Sequence, residues 1–461
     1  MRMNHRPIVA KPRLTQDWGD HQHERETHWT SLFYDLLLVA ALNALAEPFE
    51  EFEEETGELV PIRRLWGEAI LKFAAIILPW NNLNEYTSMY STESLLGHLL
   101  FFVHCFGIAA TTQACVGDLS QNYVELATGM VLTRFGLIVL WARPMIYLPR
   151  VRVHGGIRLA GQVVSAGLVA AGAAFAPSYG AFLRILVASN LTELASMLAP
   201  AFLSMRDRIP FHVMGFSARM NEITMVVFGE AIFAIVLRPF HDDSSGRAGA
   251  VHYYAALLGT LWLIYSLALQ EFHILPEEEQ HALRRSVLAG ATWINTNVLK
   301  QVFLLGSSVG IKRIHLLTFV APTDPVDDDT IGLLVWGFSL TLMAVVVIRS
   351  CSYGFRPVPD IATPELLRTQ RAWWAVLILA CAAPHAARLT LFPRIGGAPI
   401  NIVLALGTMM VGIILAEAVV LNRAADLEQE IEEQQAAAKP EKHEDEEHVA
   451  TEVSHLLGEL D

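Results

Sequence analysis

Residues 29–47 read WTSLFYDLLLVAALNALAE, nineteen positions that are almost all apolar apart from Asp35 and Asn43. About 20 apolar residues are what an α-helix needs to cross the hydrocarbon core of a bilayer. An ionised carboxylate inside such a run costs roughly 2.5–3.5 kcal/mol on an insertion scale. Asp35 therefore calls for a partner in the protein interior. Residues eight apart on a helix differ in direction by about 80°, so Asn43 is expected to share one broad face with Asp35.

Eleven further apolar blocks follow, near 66–83, 95–117, 124–142, 157–177, 181–203, 219–237, 250–272, 286–308, 331–349, 372–392 and 398–421. Lys72 and Lys300 interrupt two of them. The blocks at 157–177 and 181–203 are joined by a short turn at Pro177–Gly180, which makes them antiparallel neighbours. Together the blocks predict an all-α polytopic transmembrane helical bundle of about twelve spans. A polar arm over 1–28 precedes the transmembrane domain over 29–421, and an acidic tail over 422–461 follows it. The chain is 53% hydrophobic and 17% charged, against about 25% charged in an ordinary soluble chain. That shortage of charge, gathered between long apolar runs, excludes a large soluble enzyme core.

The formal net charge of −14 is dominated by the tail. Residues 422–461 hold three basic and thirteen acidic side chains, so nucleic acid is not an expected partner. With twelve spans both termini lie on one side. The arm and the loops of that side hold eighteen Arg and Lys before the tail, against seven in the opposite loops, with Lys312 and Arg313 counted among the seven. The positive-inside rule then puts both termini in the cytoplasm, with the plasma membrane as the expected location. The opposite loops at 49–65 and 309–330 are acidic, as either a cation-gathering vestibule or an ordinary solvated surface.

No secretory signal, phosphate-binding loop, metal box or nucleophile–base motif is present in the sequence. His21, His23 and His28 in the arm have no acid or cysteine at a definite spacing to complete a metal site. The four cysteines lie in or beside apolar runs and read as small buried residues. No cofactor, no metal and no enzymatic activity are expected. The last helix is expected to run on to about Ala438, where Lys439–Pro440 stops it. A short amphipathic segment over 449–460 could hold a protein partner.

Chemistry is left to charge inside the spans. Acids recur in the first and last helices of each set of six: Asp35 and Glu193, then Glu222 with Glu230, and Glu417. This matches a plan of two parallel six-helix halves, 29–203 and 219–421. The basic groups inside spans are Lys72, Arg134, Arg184, Lys300 and Arg388. Arg134 is the deepest, and it is expected to pair with Asp35, Glu222 or Glu230. Lys72 and Arg184 are expected to reach the headgroups. His385 and Arg388 make a second polar patch. Each of these groups is either a structural ion pair or part of an ion path, and Gly229 beside Glu230 allows a close approach there.

Several motifs carry a family resemblance. Trp29 with Leu32-Phe33-Tyr34-Asp35-Leu36 resembles the opening signature of the low temperature requirement protein A (LtrA) family, W-x-E-L-F-[FY]-D-L. Arg219 followed by Val227-Phe228-Gly229-Glu230-Ala231-Ile232 is similar to that family's second signature. The segment from Trp80 to Glu93, Arg134 in the fourth helix, and Trp262 with Tyr265 are similar to further family positions. Ser31 and Ala218 stand where the family has acids, Asn221-Glu222 where it has Gly-Leu, and Ser266 where it has Phe. The resemblance implies a polytopic membrane protein and supplies no reaction.

The expected function is a transporter or channel-like protein for an ion or small solute in the bilayer. Its candidate site residues are Asp35, Glu230, Glu222, Arg134, Asn43, Glu193 and Glu417. The alternative is a structural or regulatory membrane protein acting through partners of its acidic tail.

Overall fold

The computed structural model describes residues 9–15, 29–50, 60, 62–91, 94–117, 119–204, 206–210, 212–236, 246–274, 276, 280–320, 323–354 and 363–438. Thirteen α-helices are described in chain order. They are α1 (Trp29–Ala46), α2 (Ile62–Met89), α3 (Leu95–Cys115), α4 (Leu119–Tyr147), α5 (Arg152–Phe175), α6 (Tyr179–Leu198) and α7 (Val213–Val236). There follow α8 (Gly246–Phe272), α9 (Ala282–Arg285), α10 (Val287–Val320), α11 (Asp328–Tyr353), α12 (Pro364–Thr390) and α13 (Pro399–Ala438). The twelve helices other than the four-residue α9 overlie the twelve apolar blocks. Among the described residues, ten helical segments are long and apolar enough to cross a membrane. The segments of α2 and α7 are not among the ten. Charge explains this for α7, which carries Arg219, Glu222 and Glu230 within twelve positions, and α2 carries Asn81, Asn82 and Asn84 besides its charges.

Several helix boundaries have an identifiable local cause. Ser94, Ser178 and Asp327 accept hydrogen bonds from Gly97, Ala181 and Thr330 N–H at the starts of α3, α6 and α11. The turn between α5 and α6 is the short one expected around Pro177. Gly354, at φ 71°, follows the end of α11. α13 runs far past Leu421, to Ala438. The histidines of the arm, most of the acidic loop at 49–65 and the segment at 449–460 lie outside the described residues.

Three boundaries differ from expectation. α10 continues to Val320, so Lys312 and Arg313 are buried helical residues rather than loop charges. Arg219 and Arg349, which open and close their apolar blocks, lie inside α7 and α11 rather than at their ends. Part of the N-terminal arm is docked: Arg13–Leu14 pairs antiparallel with Tyr90–Ser91, and Thr15 Oγ1 donates to Ser88 O at 2.6 Å.

The chain divides into two compact units, residues 1–354 with 380–411, and residues 355–379 with 412–461. In the first unit, two antiparallel helix pairs meet through glycines. A Cβ on Gly107 of α3 would lie 2.3 Å from Thr133 N, and one on Gly129 of α4 would lie 2.5 Å from Thr111 N. The pair α10–α11 repeats the device, with Gly337 against Ser307 N at 2.6 Å and Gly310 against Leu334 Cα at 2.9 Å. Small residues let helix backbones approach closely where lipid supplies no hydrophobic drive for association.

Candidate functional site

Asp35 finds its partner across 184 residues of chain, in Arg219. Arg219 Nη1 donates to Asp35 Oδ2 at 2.7 Å and Nη2 to Oδ1 at 2.8 Å, a bidentate fork. Nη1 also meets Glu222, one turn along α7. The guanidinium lies 5.7 Å from the ring centroid of Trp80 on α2, which adds a cation–π contact. Three helices are thereby tied at one point. The expectation that Arg134 serves Asp35, Glu222 or Glu230 is corrected, because Arg219 holds the first two. Asp35 and Arg219 each stand six residues into their helix, about 9 Å along the axis.

Asp35 and Glu222 of this triad border a recess of about 490 Å³. From α1 it is lined by Leu32, Asp35, Leu36 and Val39, from α7 by Asn221, Glu222, Met225 and Val226, and from α8 by Phe272. Glu222 is the most exposed of the three charged side chains, at 29%. Asn43 takes no part. It is exposed, whereas Asp35 is buried. The buried arc of α1 holds Leu38, Ala41, Leu42, Leu45 and Ala46. Asp35 stands at the edge of that arc, and a further 80° carries Asn43 beyond it.

Arg134 pairs instead with Glu193 on α6, Nη2 to Oε2 at 2.7 Å, with both side chains fully buried. Arg134 also donates Nε to Ser165 Oγ at 2.7 Å and Nη1 to Met130 O at 3.3 Å. Gln162 Nε2 donates to the other Glu193 oxygen at 3.1 Å. The cluster joins α4, α5 and α6 and satisfies both ions with hydrogen bonds, as a buried ion pair requires. Glu230 pairs with Lys312 of α10, again deeply buried. Glu417, in the second unit, accepts from Trp373 Nε1 at 2.8 Å.

Several charged groups were not singled out from sequence. Glu271 pairs with Lys300. Glu85 pairs with Arg158, whose guanidinium lies 5.6 Å from the Trp141 ring centroid. Arg313 donates to Val60 O at 3.0 Å, and Arg349 to Gln270 O at 2.6 Å. Lys72 does not reach the headgroups as expected. It is buried and donates to Cys115 O at 3.0 Å, at the carbonyl end of α3. Arg184 is exposed. His385 and Arg388 are not one patch: His385 packs edge-on to Trp336, and Arg388 meets Asp328 at 3.1 Å. A signal for Lys312 was present, since VGIKRIHLLTFV keeps its apolar periodicity on both sides of the charges.

Ten membrane-length apolar helices among the described residues, with these interhelix ion pairs, define a multi-pass integral membrane protein. The profile of the family described as bacterial low temperature requirement A protein (LtrA) matches residues 27–419. The chain belongs to that family. No curated protein and no solved structure matches it.

Proposed function

We propose that the protein is a transporter or channel-like protein for an ion or small solute, with Asp35, Arg219 and Glu222 as its coupling site. The observation that carries this reading is the position of the triad. Two carboxylates, tied together by the Arg219 guanidinium, border an open recess in the apolar part of the chain. Intramembrane ionisable groups beside a cavity mark substrate and ion paths. Arg134–Glu193 and Glu230–Lys312 act on this reading as fixed ties between helices. No covalent chemistry is assigned to the protein. Both termini are read as cytoplasmic from the distribution of Arg and Lys. The two glycine-laced pairs stand third and fourth among the first six and the second six long helices. Their positions support two parallel halves, 29–203 and 219–421.

The test is flux in proteoliposomes under imposed pH and ion gradients. The wild type is expected to dissipate at least one gradient. Glu222→Gln is expected to slow it by about tenfold at unchanged reconstitution. Absence of flux across a broad panel of ions and solutes refutes the reading. The closed Arg134–Glu193 cluster favours a second reading, a structural or regulatory protein whose acidic tail holds partners. It requires that deleting 422–461 abolish the cellular role while the charged-site variants affect folding alone.

A further inference from the structure

α2 is central to the first unit, packing on α1, α3, α4, α6 and α7. Residues 80–90, which complete it, read WNNLNEYTSMY. None of Trp80, Asn81, Asn82, Asn84, Tyr86 and Tyr90 is more than 4% exposed. Yet Trp80 Nε1, Asn81 Oδ1, Asn82 Nδ2, both polar side-chain atoms of Asn84 and the hydroxyls of Tyr86 and Tyr90 have no hydrogen-bond partner among the described residues. Arg158 Nε and Gln162 Oε1 on α5, and both polar side-chain atoms of Asn190 on α6, are in the same condition. These helices enclose the same turns: Asn81 reaches Met197 Sδ on α6 at 3.9 Å, Asn82 Oδ1 accepts from Trp141 Nε1 on α4 at 2.7 Å, and Glu85 pairs with Arg158. About nine in ten buried polar groups in proteins find a partner, and one without bears its full desolvation cost. So large a set on one stretch of one helix calls for a partner from outside the chain.

The stretch has two defined ends, about 14 Å apart along the helix. At one, Trp80 lies against Arg219 of the triad. At the other, the N-terminal arm crosses the ends of α2 and α4. Arg13–Leu14 pairs with Tyr90–Ser91, Thr15 N–H donates to Met89 O at 2.9 Å and Thr15 Oγ1 to Ser88 O at 2.6 Å, and Arg143 Nη2 donates to Ala10 O at 3.1 Å. We propose that the last three turns of α2 form a water-bearing passage from the triad to the arm end of the bundle, and that residues 9–15 close its mouth. The unpartnered atoms select water. Trp80 Nε1 and Asn82 Nδ2 only donate, Asn81 Oδ1 and Gln162 Oε1 only accept, and the phenols do both. A bare ion satisfies one kind alone, whereas water donates and accepts and is the usual partner of such buried groups. A two-stranded pair is marginal by itself, so the arm can leave the mouth. The passage rests on the coupling-site reading and deepens it, by giving the triad a route to water at one end of the bundle.

The experiment is hydroxyl-radical footprinting of the full chain in nanodiscs. X-rays make the radical from water in place, and oxidised side chains are read by peptide mass spectrometry. A buried ring oxidises fast only where water touches it. Corrected for intrinsic reactivity, Tyr86 and Trp141 are expected to oxidise at about tenfold the rate of Phe73, which is equally buried two turns before Trp80 on α2. Thr15→Pro removes both Thr15 hydrogen bonds and leaves the passage untouched, and it should raise the Tyr86 and Tyr90 rates about threefold. Asn84→Leu replaces two unpartnered polar atoms with methyl groups and should lower the Tyr86 rate about threefold. Tyr86 and Trp141 as slow as Phe73 in both wild type and Thr15→Pro, or rates unmoved by Thr15→Pro, overturn the proposal. Proton flux is measured on the same proteins in liposomes. Flux with slow Tyr86 and Trp141 overturns the passage and leaves the transport reading standing. Fast oxidation that responds to Thr15→Pro, without flux, supports the passage and removes transport.

Discussion

Replacing Glu193 by glutamine separates the structural ion pairs from the proposed coupling site. Glu193 accepts from Arg134 at 2.7 Å and from Gln162 at 3.1 Å, and no part of either ion reaches solvent. The amide keeps the shape of the carboxylate and removes its charge. Arg134 would retain Ser165 Oγ and Met130 O as acceptors, but its cation would be buried without a counter-charge. Breaking a buried pair from one side costs about 3–5 kcal/mol, whereas exchanging both partners for apolar groups of similar volume is often neutral or stabilising. In a chain of this size the single change should lower Tm by about 3–5 °C. The double variant Arg134→Met with Glu193→Leu should return to within about 2 °C of wild type. The assay is thermal denaturation of the purified protein in one detergent, followed by reconstitution. A Glu193→Gln protein as stable as wild type refutes the structural assignment. A stable double variant that has lost flux moves Glu193 into the transport path.

Further outcomes follow from other contacts. Lys312→Met leaves Glu230 buried without its ion-pair partner, so a double-mutant cycle with Glu230→Gln should give a coupling of about 1 kcal/mol or more in denaturation, and additivity would contradict the pairing. Gly107→Ala drives a Cβ against the Thr133 backbone and should cost about 1–3 kcal/mol, whereas Gly167→Ala meets nothing within 4 Å and should be neutral or stabilising in the same denaturation assay. His281, in the segment before α9, is buried and accepts from Leu283 N–H at 3.3 Å. Burial, with Arg284 nearby, pushes its pKa down to about 4. The unfolded chain then binds the extra proton first, so stability should fall as pH drops from about 6.5 towards 4. His281→Phe should flatten that part of a Tm-against-pH curve, and an unchanged slope would assign the loss to other groups.

The helices were legible because run length and apolar content act locally. The approximate positions of all twelve long helices follow from those alone, and the onset of α1 at Trp29 and the extension of α13 to Ala438 did as well. Partner choice was not legible. Asp35 and Arg219 are separated by 184 residues, and nothing local distinguishes Arg219 from a charge at a helix mouth. The assignment of Lys312 and Arg313 to a loop failed for one reason: an ion that is paired or hydrogen-bonded inside the protein does not need water. Asn43 failed for a geometric reason, since 80° is enough to leave the buried arc when the first residue stands at its edge. The recess itself had no sequence signal, because it depends on the separation of α1, α7 and the end of α8.

The coupling-site account is tested most directly by flux through the full-length chain in proteoliposomes, compared among wild type, Glu222→Gln, and the charge-neutral double variant Asp35→Asn with Arg219→Gln. Wild-type protein is expected to dissipate an imposed proton or cation gradient. Both variants should insert and fold, yet conduct at about a tenth of the wild-type rate or less. Wild-type flux retained in both variants would contradict the account.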